Sequence, residues 1–396
     1  MLNTYSADQL SRERRSKLIF NCMASLLIGI LGVFFSSFQS IADRVAMSFG
    51  QASSLVGLFI SVFAAGSFIS VYLNGALSDL IGKKKVVVTA ILCSIVGSFV
   101  VGISQSYVLT LVGLFLMGVG FGPAEAMSSA IMTDENPESA TRWMNISQVV
   151  YCAGAISAPV AAIWYCSEGG KYNDIFLLCS AAFALLLIYF IRIPYGKMPS
   201  GIQRTKKDVR PLTLLKNKQF LLYAVMIFFY IGYDAIGPAY IKQMFMVTNS
   251  TEQVAATGIS VFWIAMITGR TIGIFMNGKE RLGVRLFTPL AILGALLMLV
   301  AGTQEVRLVA AFLYGLGCGP VWPLMFVLAA KIAPERSGAA YAVMMSFCSA
   351  GHMLFPALLG TWLGNVYFTF IGCGILAALV FVGSLFIKNS AHNSLS

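Results

Sequence analysis

The chain has 396 residues, 58% hydrophobic and only 11% charged, with a mean hydropathy of +0.81 and a formal net charge of +11. An ordinary soluble domain carries about 25% charged residues, so a water-soluble fold is excluded. The positive charge sits in short gaps between apolar segments rather than on one face, and so reads as membrane topology and not as nucleic-acid binding. A bilayer core of about 30 Å asks for roughly 20 apolar residues per helix. Twelve segments meet this, at residues 18–42, 53–77, 85–104, 108–132, 143–165, 174–193, 219–243, 255–277, 286–303, 307–330, 339–362 and 366–387. A basic stretch from Arg12 to Lys17 runs into the first of them with no small-residue cleavage site, so that segment is read as a retained helix.

Of the 27 Lys and Arg residues, Arg44, Lys171, Lys242 and Arg307 fall in one set of alternate gaps and Arg270 lies within a span. The rest lie in the other set, which places both termini in the cytoplasm of a cell (plasma) membrane protein. The longest gap, residues 194–218, is a basic cytoplasmic linker between an N-terminal six-helix bundle (1–193) and a C-terminal one (219–396). Seven of the eight cysteines fall inside spans, without disulfide or metal spacing, and no phosphate-binding Gly-rich loop is present. No cofactor, metal or enzymatic activity is expected, and energy should come from a gradient.

The halves repeat each other. Gly118, Gly120, Gly122, Pro123, Pro137, Glu138, Gly154 and Pro159 recur 197 residues later as Gly315, Gly317, Gly319, Pro320, Pro334, Glu335, Gly351 and Pro356. A second register, at 203, maps Gly66, Asn74 and Gly75 onto Gly269, Asn277 and Gly278. Both equate segments 2, 4 and 5 with 8, 10 and 11, the duplication expected of rocking-type secondary transport.

Between segments 2 and 3 stands Asn74-Gly75-Ala76-Leu77-Ser78-Asp79-Leu80-Ile81-Gly82-Lys83-Lys84-Lys85. It resembles the signature of the major facilitator superfamily, with Gly75, Asp79, Gly82, Lys83 and Lys84 in place and Leu80 where a basic residue is usual. The resemblance implies an all-α integral membrane fold of twelve helices in two bundles with pseudo-two-fold symmetry, and a gating role for those five residues. The run Gly118 to Glu125, the stretch Trp143 to Gln148 and Tyr230-Ile231-Gly232-Tyr233-Asp234 resemble the fucose:proton symporter-like branch. Segment 1 departs from that branch, since it has no mid-membrane carboxylate and Asp43 sits at its outer end.

A charged side chain at the bilayer centre costs about 2.5–3.5 kcal/mol on insertion scales, so each one kept there is a candidate site residue. Glu125 is a candidate for proton exchange, with the alternative of a carboxyl bonded to a neighbouring helix. Asp234 lies one turn after Tyr230 on the same face and with it can hydrogen-bond a solute. Arg270 can clamp an anion, pair with a carboxylate such as Glu125, or snorkel to the surface. His352 is the sole intramembrane histidine and titrates near neutrality; packing is its alternative. Asn145 and Gln148 share a face, and Trp322, the repeat counterpart of Glu125, offers a flat surface for a sugar ring.

These features are read as a secondary active or facilitative transporter of a small polar solute, a sugar, coupled to protons and working as a monomer in membrane lipid. The alternatives are an organic-anion (monocarboxylate or dicarboxylate) carrier using Arg270, and a multidrug efflux antiporter, favoured by 18 Met and 29 Phe. Ala158 before Pro159 departs from the drug-antiporter motif.

Overall fold

The computed structural model describes residues 7–50, 56–195, 211–248, 251–355, 358 and 365–388, and these are helical with short connections. The stretch 196–210 of the basic linker and the side chain of Asp43 lie outside the described residues. In chain order the helices are α1 Ala7–Ser48, α2 Val56–Ile81, α3 Lys83–Ile103, α4 Tyr107–Glu135, α5 Ala140–Ser167, α6 Tyr172–Arg192, α7 Lys218–Val247, α8 Glu252–Gly273, α9 Glu280–Val300, α10 Gln304–Cys318, α11 Val321–Ile332, α12 Ser337–Phe355 and α13 Val366–Leu385. Helices and not open sheets form because the bilayer leaves each backbone donor and acceptor no partner outside its own segment.

Among the described residues, ten spans are long and apolar enough to cross a membrane, with α10 and α11 counting as one. Helices α7 and α8, of 30 and 22 residues, complete twelve. At 1.5 Å per residue even α8 is about 33 Å long. The chain divides into two compact units, Met1–Val209 with Ser337–Ala342, and Arg210–Arg336 with Val343–Ser396.

Two expectations from sequence are corrected. The first helix begins at Ala7, not near residue 18, and the basic stretch is already helical, with Lys17 Nζ 3.2 Å from Glu13 Oε1 one turn back. Hydropathy marks the part of a helix that meets lipid, not where its backbone winding starts. The tenth segment, expected as continuous from 307 to 330, is broken between Cys318 and Val321. Pro123 at the equivalent place in the first half sits inside an unbroken α4, but the second half has both Pro320 and Pro323. Each lacks an N–H and crowds the carbonyl four residues back, and two within one turn interrupt the ladder.

Glycine sets the helix spacing in both units. A Cβ on Gly118 would run into the Phe63 carbonyl, and one on Gly315 into the Phe262 carbonyl. On Gly122 it would meet Ser67 and Val71, and on Gly319 it would meet Met266 and Arg270. Gly97 packs on Met117 and Gly113 of α4, as Gly294 packs on Tyr314 and Ala310 of α10. The 197-residue register therefore holds for α3, α4, α9 and α10, whereas α2 and α8 correspond at 199 and not at 203. The Asn-Gly match misleads because Gly75 lies inside α2, while Gly278 is in the turn before α9 with φ +76°, which places it with Gly82, φ +92°, before α3.

The repeat also carries an ion pair. Lys83 Nζ lies 2.9 Å from Asp134 Oδ2, tying the start of α3 to the end of α4. The residues 197 positions on are Glu280 and Lys331, 2.8 Å apart, tying the start of α9 to the end of α11 with the charges reversed. Glu280 is 3% exposed and also accepts from the Gly278 N–H at 2.8 Å.

Gly315→Val drives a side chain into the Phe262 backbone and lowers stability by about 1–3 kcal/mol, read as a fall in melting temperature of purified protein. Gly302→Ala, with nothing within 4 Å of the added Cβ, shifts stability by no more than about 0.5 kcal/mol. Glu280→Gln costs about 1–2 kcal/mol, less than a fully buried pair because Lys331 is partly exposed. The exchange Glu280→Lys with Lys331→Glu recovers part of that, the Gly278 N–H having lost its acceptor; a double variant no better than the sum of the singles refutes the pairing.

Candidate functional site

In the first unit the signature residues build a cluster around the opening turn of α12, residues 337–342. Asp79, 3% exposed near the end of α2, accepts the Ala339 N–H through Oδ2 at 3.0 Å. A carboxylate there meets the positive end of a helix dipole. Lys83 Nζ sits 3.8 Å from the other Asp79 oxygen and 2.9 Å from Asp134, and Asp134 Oδ2 also accepts from Ser337 Oγ at 3.0 Å. Gly75 and Gly338 let the backbones close: a Cβ on Gly75 would strike the Ala342 Cβ, and one on Gly338 the Ser78 Oγ. Beyond them the Tyr341 hydroxyl is 2.6 Å from Thr133 Oγ1 and 3.4 Å from Met144 Sδ. Lys84 faces elsewhere, donating to the Ile193 carbonyl at 2.6 Å and so joining α3 to the end of α6. Asp134 and Ser337 were not singled out from sequence, and the signal for Asp134 lay in the repeat, where Lys331 occupies its position.

Deeper in the same unit, Gln148 Nε2 reaches Glu125 Oε1 at 3.4 Å, with both side chains buried. Glu125 is thus held to α5. Asn145, on the same face by spacing, instead turns its Nδ2 to the Thr141 carbonyl of its own helix at 2.9 Å, while its buried Oδ1 has no hydrogen-bond partner among the described residues. Around these polar groups the unit is phenylalanine-rich. Phe34 and Phe38 meet both Phe63 and Phe176 in ring contacts, and Phe35 and Phe121 join the set through Phe63.

The second unit holds a different arrangement, centred on the break between α10 and α11. Pro323 lacks the N–H that would reach the Gly319 carbonyl, and Arg270 Nε of α8 supplies a donor to that oxygen at 3.2 Å. The neighbouring Cys318 carbonyl accepts from the Tyr230 hydroxyl of α7 at 3.0 Å, and the same hydroxyl is 2.9 Å from Asp234 Oδ1. Arg270 is 6% exposed and its charge acts on Asp234, so it does not snorkel to the surface. Tyr314 donates to the Tyr233 carbonyl at 2.6 Å, in space left by Gly237. The Tyr233 hydroxyl, fully buried, has no hydrogen-bond partner among the described residues. A carboxylate, a guanidinium, three tyrosines and two carbonyls released by a broken helix therefore meet inside one bundle. Tyr314 was not picked out from sequence, though its repeat counterpart is the apolar Met117.

Trp322 stacks on Phe326 with ring centroids 4.1 Å apart and is 7% exposed. His352 lies in the last turn of α12 with its side chain accessible. It does not join the Tyr230–Asp234–Arg270 cluster through any hydrogen bond seen among the described residues.

Three known proteins illustrate what the chain is similar to. A crystal structure of the E. coli fucose:proton symporter FucP superposes with a TM-score of 0.80 at 18% identity, covering 95% of this chain and 100% of that one. The multidrug resistance protein MdtH of Shigella dysenteriae is 24% identical over 354 residues, 84% of this chain and 83% of MdtH. The probable plastidic glucose transporter 2 of Arabidopsis thaliana is 27% identical over 168 residues, 42% of this chain, and the match spans about a third of that protein's length, 34%. The sequence model of the Major Facilitator Superfamily matches residues 18–356, and together with the twelve-span helical architecture this establishes that the chain belongs to that superfamily.

Proposed function

We propose that this membrane transporter carries a small polar solute, a sugar, coupled to protons and by alternating access, in the plasma membrane with both termini cytoplasmic. As a member of the superfamily it is a transporter and not an enzyme. The observation that carries the finer reading is the Tyr230–Asp234–Arg270 cluster on the carbonyls of Cys318 and Gly319. It offers donors and acceptors in alternation, as a polyhydroxyl solute requires. Protonation of Asp234 would remove the negative charge that faces Arg270, so proton binding and the hold on the cluster are linked. Similarity to the fucose:proton symporter and to a plastidic glucose transporter supports the sugar. The Asp79–Ala339 contact, with Gly75, Gly82 and Lys83 around it, supports a gate at the end of α2, while Lys84 braces α3 against the end of α6.

The organic-anion reading is less favoured because Arg270 already serves the Gly319 carbonyl and the Asp234 charge. Multidrug export is the second reading, favoured by the phenylalanine cluster of the first unit and by the similarity to MdtH. An adaptable apolar wall suits varied hydrophobic solutes.

The test is uptake of labelled fucose, glucose and xylose into proteoliposomes under an inward proton gradient. Wild type accumulates at least one of them; Asp234→Asn loses accumulation while keeping exchange down a gradient. Tyr230→Phe, which removes a hydroxyl bonded to two acceptors, lowers the rate by about tenfold, the equivalent of about 1.4 kcal/mol. If Asp234→Asn and Glu125→Gln both behave as wild type, and no sugar accumulates while a lipophilic cation is extruded, the export reading replaces this one.

A further inference from the structure

Three arginines converge at one end of the first unit. Arg12 and Arg15, one turn apart near the start of α1, and Arg192, the last residue of α6, line a cleft of about 310 Å³ together with Ser16, Ile19 and Tyr189. Among the described residues no carboxylate lines it. The acidic residue of that turn, Glu13, is engaged with Lys17, and among the described residues Arg12, Arg15 and Arg192 have no ion pair. Like charges gathered at one place repel one another, and an anion that joins them relieves the repulsion.

The cleft is a built one. Its α6 side is fixed by the Lys84 Nζ bond to the Ile193 carbonyl at 2.6 Å, and its α1 side by Phe20, whose ring lies 5.1 Å from that of Tyr195. One turn further into the membrane both helices change character. Leu18 and Ile19 on α1 are 52% and 45% exposed, and on α6 Ile188 and Leu185 are 55% and 71% exposed. Guanidinium groups thus give way to a bare aliphatic wall at the same level on two adjacent helices, which is the boundary between lipid headgroups and acyl chains.

We propose that this cleft binds an anionic phospholipid, its phosphate held by Arg12, Arg15 and Arg192 and its acyl chains lying along Ile19, Ile188 and Leu185. Guanidinium groups match phosphate oxygens in a fork geometry that a lysine cannot copy. The apolar wall favours a lipid over a free anion, since a soluble phosphate would leave it uncovered.

The experiment is native mass spectrometry of the full-length protein in detergent, offered equal amounts of dioleoyl phosphatidylglycerol and dioleoyl phosphatidylcholine. The expected result is one preferentially retained phosphatidylglycerol, with retention falling roughly fivefold for each arginine replaced by glutamine. The exposed Lys85→Gln, which removes a charge elsewhere on the basic face, leaves retention unchanged. Arg192→Lys retains less than wild type but more than Arg192→Gln. Equal retention of the two lipids, or a preference that survives Arg12→Gln/Arg15→Gln/Arg192→Gln, overturns the proposal. Displacement of the lipid by excess inorganic phosphate also overturns it, identifying a soluble-anion site instead. The readout is independent of transport, so it stands or falls separately from the sugar reading.

Discussion

Inside a bilayer, a carbonyl that loses its helical donor has no water to turn to, and the second half of the chain is organised around two such groups. Prolines 320 and 323 interrupt the helix between α10 and α11. The oxygens of Cys318 and Gly319 then draw in Tyr230 from α7 and Arg270 from α8. Once Arg270 is drawn inward, a buried positive charge needs a negative one, and Asp234 answers it. The polar cluster is in this sense a consequence of backbone chemistry: the break after Cys318 and the N–H missing from Pro323 determine where Asp234 and Arg270 meet.

The first unit meets the same requirement differently. Its Pro123 lies within an unbroken α4, and the interior is filled by phenylalanine around a carboxyl–amide contact between Glu125 and Gln148. Both halves keep the glycines that let α2 approach α4, α8 approach α10, and their neighbours close on them. Shape has thus been retained from a common ancestor half while polar function has diverged. The scaffold tolerates no Cβ at Gly118 or Gly315, but it accepts Met117 in one half and Tyr314 in the other at the same place.

What could be read from sequence follows this division. The spans were legible because lipid contact imposes a run of apolar residues, and the repeat was legible because close helix approach admits only glycine. The pairing of Tyr230 with Asp234 followed from helical spacing. The partner of Arg270 did not, because it is a backbone oxygen left without its helical donor by Pro323. Asn145 and Gln148 shared a face by spacing yet part company, one turning to its own helix and the other to Glu125. The 203-residue register arose from matching letters, Asn-Gly with Asn-Gly, where one glycine serves helix packing and the other a left-handed turn. The Glu280–Lys331 pair escaped for the opposite reason: its letters differ from Lys83 and Asp134 even though its place is the same.

That inversion of sign bears on how a duplicated chain sorts itself during synthesis. Two bundles with the same glycine spacing offer each newly made helix a wrong partner of nearly the right shape. If α11 sought the seat of α4, Lys331 would be brought against Lys83; if α4 sought the seat of α11, Asp134 would face Glu280. Each mistaken assembly therefore places like charges together at short range, a repulsion softened but not removed by the partial exposure of Lys331 and Asp134. The swapped polarity acts as a label that lets the halves be told apart even though their outlines cannot.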